Sequence, residues 1–480
     1  MMLSGKRGVL IRGATVPCLA VLALTAAPSV AAHGIFVVTT DFTTGSTAYL
    51  PPGAEEAQIG RLPLHGDLAV RYAMGKVYVI ERLPRDNIVV YDAGDPGTLE
   101  RQFSVGNGTN PQDIAVVSPE RAYVTRYEVP TVLIVNPTTG DSLGHVDLSA
   151  FADADGIPEM GEMVVIGTRL YVSVQRLDRS GFPWTTVDVS YLVIVDAASG
   201  QIVDADPEAD GIQGIRLAAA NPNSLIRVGG RIAVSGAATL GDVAGGIEIV
   251  DPAGGQSTGL VVTEEALGGD ITHLSLASAT KGYAIVSDAD YVNSVVPVDL
   301  ATGAVGQPLT GLSGGYLQST AVDGDRLYVA ERGTYTDPGM AGLMVFDTTT
   351  DQLVAGPIPT GLPPAYIAVM ADRGVETAIA EEGGQPLPRS VVLGRAFPNP
   401  FNASTVIPFD LSQPGAVRLV IFDVLGRPVR TLVAGVRPAG SHRLIWDGRT
   451  DGGAPAGNGP YLVGLQTPSQ QSTRKVMLLK

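Results

Sequence analysis

The middle of the chain repeats a short unit built from alternating apolar strands. Each unit has an apolar strand, a tight turn, a second strand that usually contains Tyr-Val, a variable loop, and a third strand that ends in Asp or Asn. Because a small sheet of short strands needs neighbours to bury its faces, this pattern predicts the blades of a β-propeller. No apolar spacing of 3.6 residues lasts as long as a helix would, which excludes helical repeats. The end residues of the third strands recur every 44 to 60 residues, at Asp92, Asn136, Asp196, Asp251, Asp299 and Asp347.

The number of blades follows from counting these units. Six complete units lie between Asp67 and Pro357. One inner strand, at 365–370, is left over after them, and two outer strands, at 35–40 and 47–50, precede them. Together these strands predict a seventh blade that is closed from both ends, which removes an exposed sheet edge.

One unit carries a family resemblance. Residues 111–119 (PQDIAVVSP), 123–125 (YVT) and 132–140 (VLIVNPTTG) follow one another in this unit. The unit resembles the Tyr-Val-Thr-Asn family of bacterial surface β-propeller repeats, with Arg126 where that motif has Asn. The resemblance implies a propeller architecture and an envelope location, rather than a reaction.

The last hundred residues follow a different pattern. Alternating strands are separated by Gly-rich turns, which predicts a small β-sandwich. The motifs include FPNPFN at 397–402, WDGRTDGG at 446–453 and RKVMLLK at 474–480. In their order and spacing they resemble the C-terminal sorting domain of type IX secretion, and equally the Ig-like domain related to flagellar hook-capping proteins. The resemblance implies passage across an outer membrane, with the basic C-terminus recognised by the secretion machinery as a partner.

The N-terminus has the features of a targeting segment. Lys6, Arg7 and Arg12 precede an apolar run, and small residues follow up to Ala32, which predicts a signal peptide over residues 1–32. Its removal leaves 29 basic and 48 acidic residues, a net charge of −19. We therefore predict a secreted or outer-membrane surface protein with no transmembrane segment after signal removal.

These patterns together give a domain plan. The propeller is predicted at 33–382, a linker at 383–395 and the Ig-like sorting domain at 396–480. The predicted fold class is thus all-β, a seven-bladed β-propeller followed by a small Ig-like β-sandwich.

Composition excludes several classes of partner and cofactor. The excess of acidic residues disfavours nucleic acid as a partner. A single cysteine, Cys18, which the predicted cleavage removes, excludes iron–sulfur clusters and covalently attached haem. No phosphate-binding loop follows a predicted strand, so no nucleotide cofactor is expected. Calcium is the one cofactor that the sequence suggests.

The calcium hypothesis rests on an acidic loop between two blades. Asp153, Asp155 and Glu159 flank Gly156, and Glu162 follows three residues later. Several carboxylates around a Gly turn are suited to a hard cation that binds oxygen ligands. The same residues also suit a solvated polar turn, and the sequence leaves both interpretations open.

A second set of candidate residues comes from aligning the inner strands. Inner strands line the central channel of a propeller, and their first residues converge at its mouth. Three acids, a histidine and neutral polar groups at this position could bind a cation or a small polar ligand, or line a channel filled with water. The aligned residues are Asp67, Asp113, Glu162, Ser224, His273, Gln318 and Tyr366.

Two functional hypotheses follow from these features. The first is a non-catalytic binding or interaction protein for an extracellular protein, glycan or small ligand. The second is a metal-dependent hydrolase or lyase with its site at the channel mouth. The five histidines do not share metal-ligand spacing, which favours the non-catalytic hypothesis.

Overall fold

The protein is built almost entirely from short antiparallel sheets. The computed structural model describes residues 33–60, 63–334, 336–371 and most of 392–479, apart from 395, 397, 398, 400, 403, 412–414, 424, 425, 438, 439 and 468–470. The predicted signal peptide at 1–32 and most of the predicted linker lie outside the described residues. Within the described residues, helix is limited to one α-turn, α1 (Glu264–Leu267), and to 3-10 turns at Ser149–Phe151 and Pro338–Met340.

Seven sheets form the propeller, and each is written here from its inner strand outwards. Blade 1 contains β5 (Leu68–Ala73), β6 (Lys76–Glu81), β7 (Asn87–Asp92) and β8 (Asp95–Ser104). Blade 2 contains β9 (Pro111–Ser118), β10 (Arg121–Arg126), β11 (Thr131–Val135) and β12 (Ser142–Asp147). Blade 3 contains β13 (Met160–Ile166), β14 (Arg169–Val174), β17 (Tyr191–Asp196) and β18 (Ile202–Val203), with β19 (Ile215–Arg216) also paired to β17. A separate hairpin, β15 (Leu177–Asp178) with β16 (Thr185–Thr186), leaves blade 3 between β14 and β17.

The remaining blades follow the same order. Blade 4 contains β20 (Pro222–Val228), β21 (Arg231–Gly236), β22 (Gly246–Asp251) and β23 (Gln256–Thr263). Blade 5 contains β24 (Asp270–Leu276), β25 (Lys281–Ser287) and β26 (Asn293–Asp299). Blade 6 contains β27 (Leu317–Asp323), β28 (Arg326–Glu331), β29 (Gly342–Asp347) and β30 (Leu353–Ile358). Blade 7 contains β31 (Pro364–Val369), β1 (Ile35–Thr40) and β2 (Thr44–Leu50), with the short β3 (Gln58–Ile59) and β4 (Leu64–His65) at its edge.

Blade 7 joins the two ends of the propeller. Strand β1 pairs antiparallel with β31, so that Val37 lies opposite Ile367 and Ile35 opposite Val369. The last inner strand therefore comes from late in the propeller sequence and the outer strands from its beginning. This arrangement confirms the seven-bladed fold that the repeats predict.

Apolar side chains from adjacent blades pack together and hold the ring. One core cluster, for example, contains Ile80 and Val90 of blade 1 together with Ile114 and Val124 of blade 2, all nearly or fully buried. Strands that are apolar on both faces are expected where each sheet is covered on both sides. The uninterrupted apolar runs in the sequence are therefore a consequence of this stacking.

The C-terminal strands form a separate two-sheet sandwich. One sheet contains β32 (Val392–Leu393), β33 (Thr405–Leu411) and β36 (Gly440–Trp446). The other contains β34 (Gly415–Phe422), β35 (Pro428–Arg437), β37 (Gly459–Gln466) and β38 (Gln471–Leu478). Trp446 is fully buried in their shared core and packs against Phe401 and Tyr461. The second predicted unit, a small Ig-like sandwich, is thus confirmed.

Candidate functional site

Bulges at the start of the inner strands shape one end of the central channel. In the pairing of β9 with β10, the register shifts so that Gln112 is an extra residue between Pro111 and Asp113. The same shift occurs at the start of five other inner strands, whereas β5 of blade 1 pairs without one. A bulge re-aims the side chain of its extra residue. The residues at this position that line the cavity described next are Gln112, Gly161, Asn223, Thr272 and Gln318.

A cavity of about 410 Å³ lies at this end of the channel and is called the mouth cavity below. Its size falls within the range of known small-ligand sites, about 300–1,000 Å³. Of the residues aligned in the sequence, the structure brings five together in its lining: Asp67, Glu162, His273, Gln318 and Tyr366. Asp113 is not part of this lining and is only 1% exposed.

The alignment of the inner strands differs in two blades. By strand pairing, Ile114, Thr320 and Val70 are equivalent, because each lies opposite the Val of the Tyr-Val strand. The equivalents of Asp113 are therefore Ser319 in blade 6 and Ala69 in blade 1, rather than Gln318 and Asp67. The sequence alignment was wrong at these two positions, because blade 1 lacks the bulge and Gln318 is part of one.

Residues at the Asp113 position connect neighbouring blades. The carboxylate of Asp113 accepts the backbone N–H of Met163 (2.7 Å), and that of Glu162 accepts the N–H of Leu225 (2.9 Å). In the same way, the Ser224 hydroxyl accepts the N–H of Leu274 (3.1 Å). Each acceptor thus bonds to the next inner strand around the ring. This part of the predicted site has a structural role.

The ring of contacts continues through blades 5 and 6. His273 Nε2 lies 3.0 Å from the carbonyl oxygen of Thr320, and the Ser319 hydroxyl donates to the carbonyl of Ala365 at 2.9 Å. Burial lowers the pKa of His273, which favours the uncharged imidazole. Because His273 is neutral and already hydrogen-bonded, it does not provide a positive charge for binding a ligand.

Arg71 is a central residue of the channel that sequence reasoning missed. Its Nε donates to Asp113 Oδ1 at 2.6 Å, and its Nη2 lies 2.7 Å from Glu162 Oε1. Desolvation opposes the charge, but the two carboxylates outweigh it and raise the pKa of Arg71. The sequence feature that points to Arg71 is its position as the one charged residue in the apolar inner strand LAVRYA.

Arg71 also separates the mouth cavity from a second cavity of about 570 Å³ further along the channel. Val70, Arg71, Glu162 and His273 line both cavities. Most other residues of the second cavity are apolar, such as Ile226 and Val322. The ion-paired arginine therefore lies at the boundary between a polar end and an apolar end of the channel.

An aromatic pair lies at one side of the mouth cavity. Trp184 comes from the β15–β16 hairpin and stacks on Tyr127, with ring centroids 6.5 Å apart and planes 24° apart. The guanidinium of Arg179 lies over both rings, 5.7 Å and 5.9 Å from their centroids. The Tyr127 hydroxyl donates to Gln175 Oε1 at 2.8 Å, which fixes the ring. No repeat in the sequence points to Trp184, because its hairpin is an insertion in one blade.

Two polar atoms at the mouth cavity have no hydrogen-bond partner among the described residues. They are Arg82 Nε and Thr272 Oγ1, and both atoms are buried. The Arg82 guanidinium also lies 5.6 Å from the ring centroid of Tyr366. A buried donor without a partner is costly, so such groups call for an explanation such as a bound ligand or water.

A basic side chain from the β15–β16 hairpin contacts the predicted calcium loop. The Arg179 Nε lies 3.2 Å from Glu159 Oε1, and its Nη2 lies 3.7 Å from Asp155 Oδ2. Asp153 Oδ1 accepts the backbone N–H of Asp155 (3.1 Å) in a local turn. In the parts of the chain that the structure describes, no group of three or more His, Asp or Glu side chains is arranged to hold a metal ion. The Arg179 guanidinium thus places positive charge beside Asp155 and Glu159, and calcium at this loop stays a prediction.

Exposed apolar side chains are concentrated around the mouth cavity. Inner strands begin at the mouth, and neighbouring strands of a blade are antiparallel. The mouth end therefore carries two kinds of loop, those that join second to third strands and those that lead into inner strands. We call the surface that these loops form the mouth face. Phe182 at the hairpin tip is 90% exposed and Tyr291 is 85% exposed. Aromatic residues are typical of the centres of binding surfaces. The exposed apolar residues on the mouth face are Phe42, Leu83, Phe182, Trp184, Leu240, Val243, Tyr291, Val292 and Tyr316.

Comparison with known proteins identifies the C-terminal unit. Residues 401–471 match the family model of the FlgD Ig-like domain, which confirms the hook-capping half of the resemblance. No curated protein matches the chain. Among the described residues, no helix has both the length and the apolar character needed to cross a membrane.

Solved structures similar to the chain share low sequence identity with it. One of them is PorZ, described as an essential bacterial surface component of the type-IX secretion system of Porphyromonas gingivalis. It is 14% identical to this chain with a TM-score of 0.43, and the match covers 92% of this chain and 64% of PorZ. The dihydro-heme d1 dehydrogenase NirN is 16% identical with a TM-score of 0.44, over 70% of this chain and 75% of NirN. BamB from Moraxella catarrhalis is 10% identical with a TM-score of 0.38, over 69% of this chain and 85% of BamB. The match thus covers less than two thirds of the length of PorZ.

Proposed function

We propose that this protein is a secreted or cell-surface β-propeller that acts as a non-catalytic binding protein, with its ligand site at the channel mouth. The observation that carries the proposal is the mouth cavity, where buried Arg82 Nε and Thr272 Oγ1 have no partner among the described residues. The exposed aromatic residues around it support the same surface.

The bonding of Asp113, Glu162 and His273 favours binding over metal-dependent catalysis. Glu162 is engaged by Arg71 and by the N–H of Leu225, and Asp113 by Arg71 and the N–H of Met163. A hydrolytic metal site needs carboxylate or imidazole ligands that are available to the ion. Here these groups hold blades together instead.

The binding half of the proposal can be tested on intact cells of the host. We expect labelled mature protein to bind the cell surface, and the Trp184→Ala/Gln112→Ala variant to lose most of this binding. The matched control is Leu143→Ser, on the exposed outer strand of blade 2. Equal binding by all three proteins would contradict a site at the mouth. Metal-dependent turnover of lactones or glycosides that Glu162→Gln abolishes would favour the enzymatic alternative.

We also propose that the Ig-like unit is a sorting domain for export and that the repeats belong to the Tyr-Val-Thr-Asn type. The terminal strand β38 places Val476 and Leu478 in the core of the sandwich, fully buried. Deleting residues 474–480 would therefore remove part of the core, so a surface substitution is the sharper test. Lys475 is exposed on this strand. Arg427 is a basic residue of the same unit that is 73% exposed and distant from Lys475 in the sequence, so it is the matched control.

The secretion test compares two charge substitutions in the host. If the machinery recognises the basic terminus, Lys475→Glu should leave folded protein in the periplasm, whereas Arg427→Glu should reach the surface normally. Normal surface display of Lys475→Glu would contradict recognition of this residue. It would leave the binding proposal intact.

A further inference from the structure

We propose that the mouth cavity binds the end of a neutral glycan, with a sugar ring against Trp184 and its hydroxyl groups bonded by carboxamides. The inference rests on the proposed function and names the ligand class of that site. Five carboxamide side chains line this one cavity, and each can both donate and accept hydrogen bonds. They are Asn110, Gln112, Gln175, Asn223 and Gln318.

Two of these carboxamides are held by hydrogen bonds that both donate and accept. Asn223 accepts from the Ser235 hydroxyl (2.6 Å) and donates to the carbonyl of Ile271 (2.6 Å). Gln175 accepts from Tyr127 and donates to the carbonyl of Pro222 (3.0 Å). Their bonds fix the wall of the cavity, which pre-organises a site and reduces the cost of ordering it on binding.

The other three carboxamides retain hydrogen-bonding capacity. Gln112 Nε2 donates to Asn110 Oδ1 at 3.1 Å, which leaves Gln112 Oε1 as an acceptor and Asn110 Nδ2 as a donor without a bond to described residues. Gln318 Oε1 receives only a long contact from Arg332 (3.4 Å), and its Nε2 has no bond within the described chain.

Further donors and acceptors around the cavity complete the set. Thr272 Oγ1 is able to donate and accept, Arg82 Nε donates, and the half-exposed Asp67 carboxylate accepts with only a 3.4 Å contact to Arg82. Sugar hydroxyls each donate one hydrogen bond and accept others, as do the hydroxyls of Ser and Thr. A mixed set of donors and acceptors therefore fits a polyhydroxylated ligand better than one that only accepts or only donates.

The aromatic pair provides a surface for the apolar face of a sugar ring. Trp184 is 44% exposed at the cavity, and its stacking on Tyr127 and Arg179 holds the indole in place. Aromatic side chains with a fixed orientation give large contact area at low entropic cost.

The charge balance at the cavity favours a neutral ligand. The lining contains two arginines, Arg71 and Arg82, and two carboxylates, Asp67 and Glu162. Arg71 is already paired with Glu162 and Asp113. The whole chain carries −16, so an anionic polysaccharide would be repelled on approach. A peptide could also reach this face, and the experiment below separates the two.

The test uses the full mature protein and a printed array of oligosaccharides. The array carries neutral hexose and N-acetylhexosamine chains, with sulfated and uronate-containing chains as the anionic arm. The best neutral chain is then titrated by tryptophan fluorescence, which reports on Trp184 because the second tryptophan, Trp446, is fully buried in the Ig-like unit. We expect saturable binding of a neutral chain with a change in emission.

Three variants locate the binding. Trp184→Ala and Gln112→Ala should each raise the dissociation constant about tenfold or more. Leu143→Ser is the control, since Leu143 lies on the exposed outer strand of blade 2, away from the mouth face, and does not line the cavity. The melting temperatures of all variants show whether they are folded.

The outcomes distinguish this inference from the proposed function. Binding only to anionic chains, or to no chain at about 1 mM, overturns the glycan inference. If the Trp184→Ala/Gln112→Ala variant nevertheless loses cell-surface binding, the mouth binds another class, such as a peptide, and the proposed function stands. If neutral chains bind equally to Trp184→Ala and Gln112→Ala, the site lies elsewhere and both are contradicted.

Discussion

Arg71 of blade 1 donates from Nε to the carboxylate of Asp113 in blade 2, with Nε and Oδ1 2.6 Å apart at the centre of the channel. Asp113 is 1% exposed and also accepts the N–H of Met163 in blade 3. One carboxylate thus joins three consecutive blades.

This relationship gives a stability prediction. Asp113→Asn should lower the free energy of unfolding by about 2 kcal/mol, because it weakens the charge-assisted hydrogen bonds to Arg71 and to the N–H of Met163, while Glu162 still neutralises Arg71. Asp141→Asn, exposed in the same blade, should have little effect. Urea denaturation measures both. The Arg71→Met/Asp113→Leu double variant should lose less than the sum of its single variants, and additive losses would show that the pair is not coupled.

A buried carboxyl in α1, between blades 4 and 5, makes stability depend on pH. Burial raises the pKa of Glu264 from its ordinary 4.5 to about 7, although its carboxylate accepts the N–H groups of Ile271 and Gly245. The folded state therefore holds this proton more tightly than the unfolded chain does. The contribution of Glu264 to stability is fully present below about pH 4.5 and is lost as pH rises through about 7.

The substitution Glu264→Gln isolates this effect. The substitution itself changes stability by an amount that does not depend on pH, because glutamine does not titrate. Wild type loses the Glu264 contribution as pH rises, so the melting temperature of Glu264→Gln relative to wild type should rise between pH 5 and pH 8. The exposed neighbour Glu265 provides the control Glu265→Gln, whose difference from wild type should stay constant. A pH-independent difference for Glu264→Gln would contradict the raised pKa.

The acidic loop at Asp153, Asp155 and Glu159 tests the calcium hypothesis against Arg179. Burial raises the pKa of Glu159 to about 7; nearby Asp155 and Asp153 add to the rise, whereas the Leu177 N–H and Arg179 oppose it. If calcium binds here, it should raise the melting temperature of wild type, and Asp155→Ala should abolish the rise. Arg179→Gln removes the competing cation, so its response to calcium should be larger than that of wild type. If calcium and chelator change neither melting temperature, the loop is a polar turn that Arg179 holds.

A buried carboxylate lies next to the predicted cleavage point before His33. The backbone nitrogen of His33 donates to Asp323 Oδ2 at 2.9 Å, its ring Nδ1 lies 2.7 Å from Oδ1, and Asp323 is 4% exposed. Cleavage would place a charged amino group against this buried carboxylate, and charge-assisted bonds are stronger than neutral ones. N-terminal sequencing of exported protein should therefore begin at His33.

A one-residue extension tests the charge itself. Protein with an added alanine before His33 keeps the backbone donor but moves the charge away, so its melting temperature should be lower than that of the mature chain. Asp323→Asn should remove this difference. Sequencing that finds Met1, or equal melting temperatures for the two chains, would contradict the prediction.

The sequence predicted the architecture because a repeated strand pattern reports directly on blades. The leftover strand at 365–370 and the outer strands at 35–40 predicted the closure that β31 and β1 form. The site was predicted less well for a physical reason. A one-residue bulge changes which side chain faces the channel, and its presence in six blades but not in blade 1 is invisible in an apolar pattern. Arg71 and Trp184 were missed because neither recurs from blade to blade.

The most direct measurement of the central claim is photo-crosslinking on intact host cells. A benzoyl-phenylalanine side chain at position 182, on the mouth face, is compared with the same group at position 143, on the exposed outer strand β12. A binding protein that uses its channel mouth should crosslink to one envelope component from position 182 and not from position 143. Equal crosslinking from both positions, or crosslinking from position 143 alone, would contradict the account.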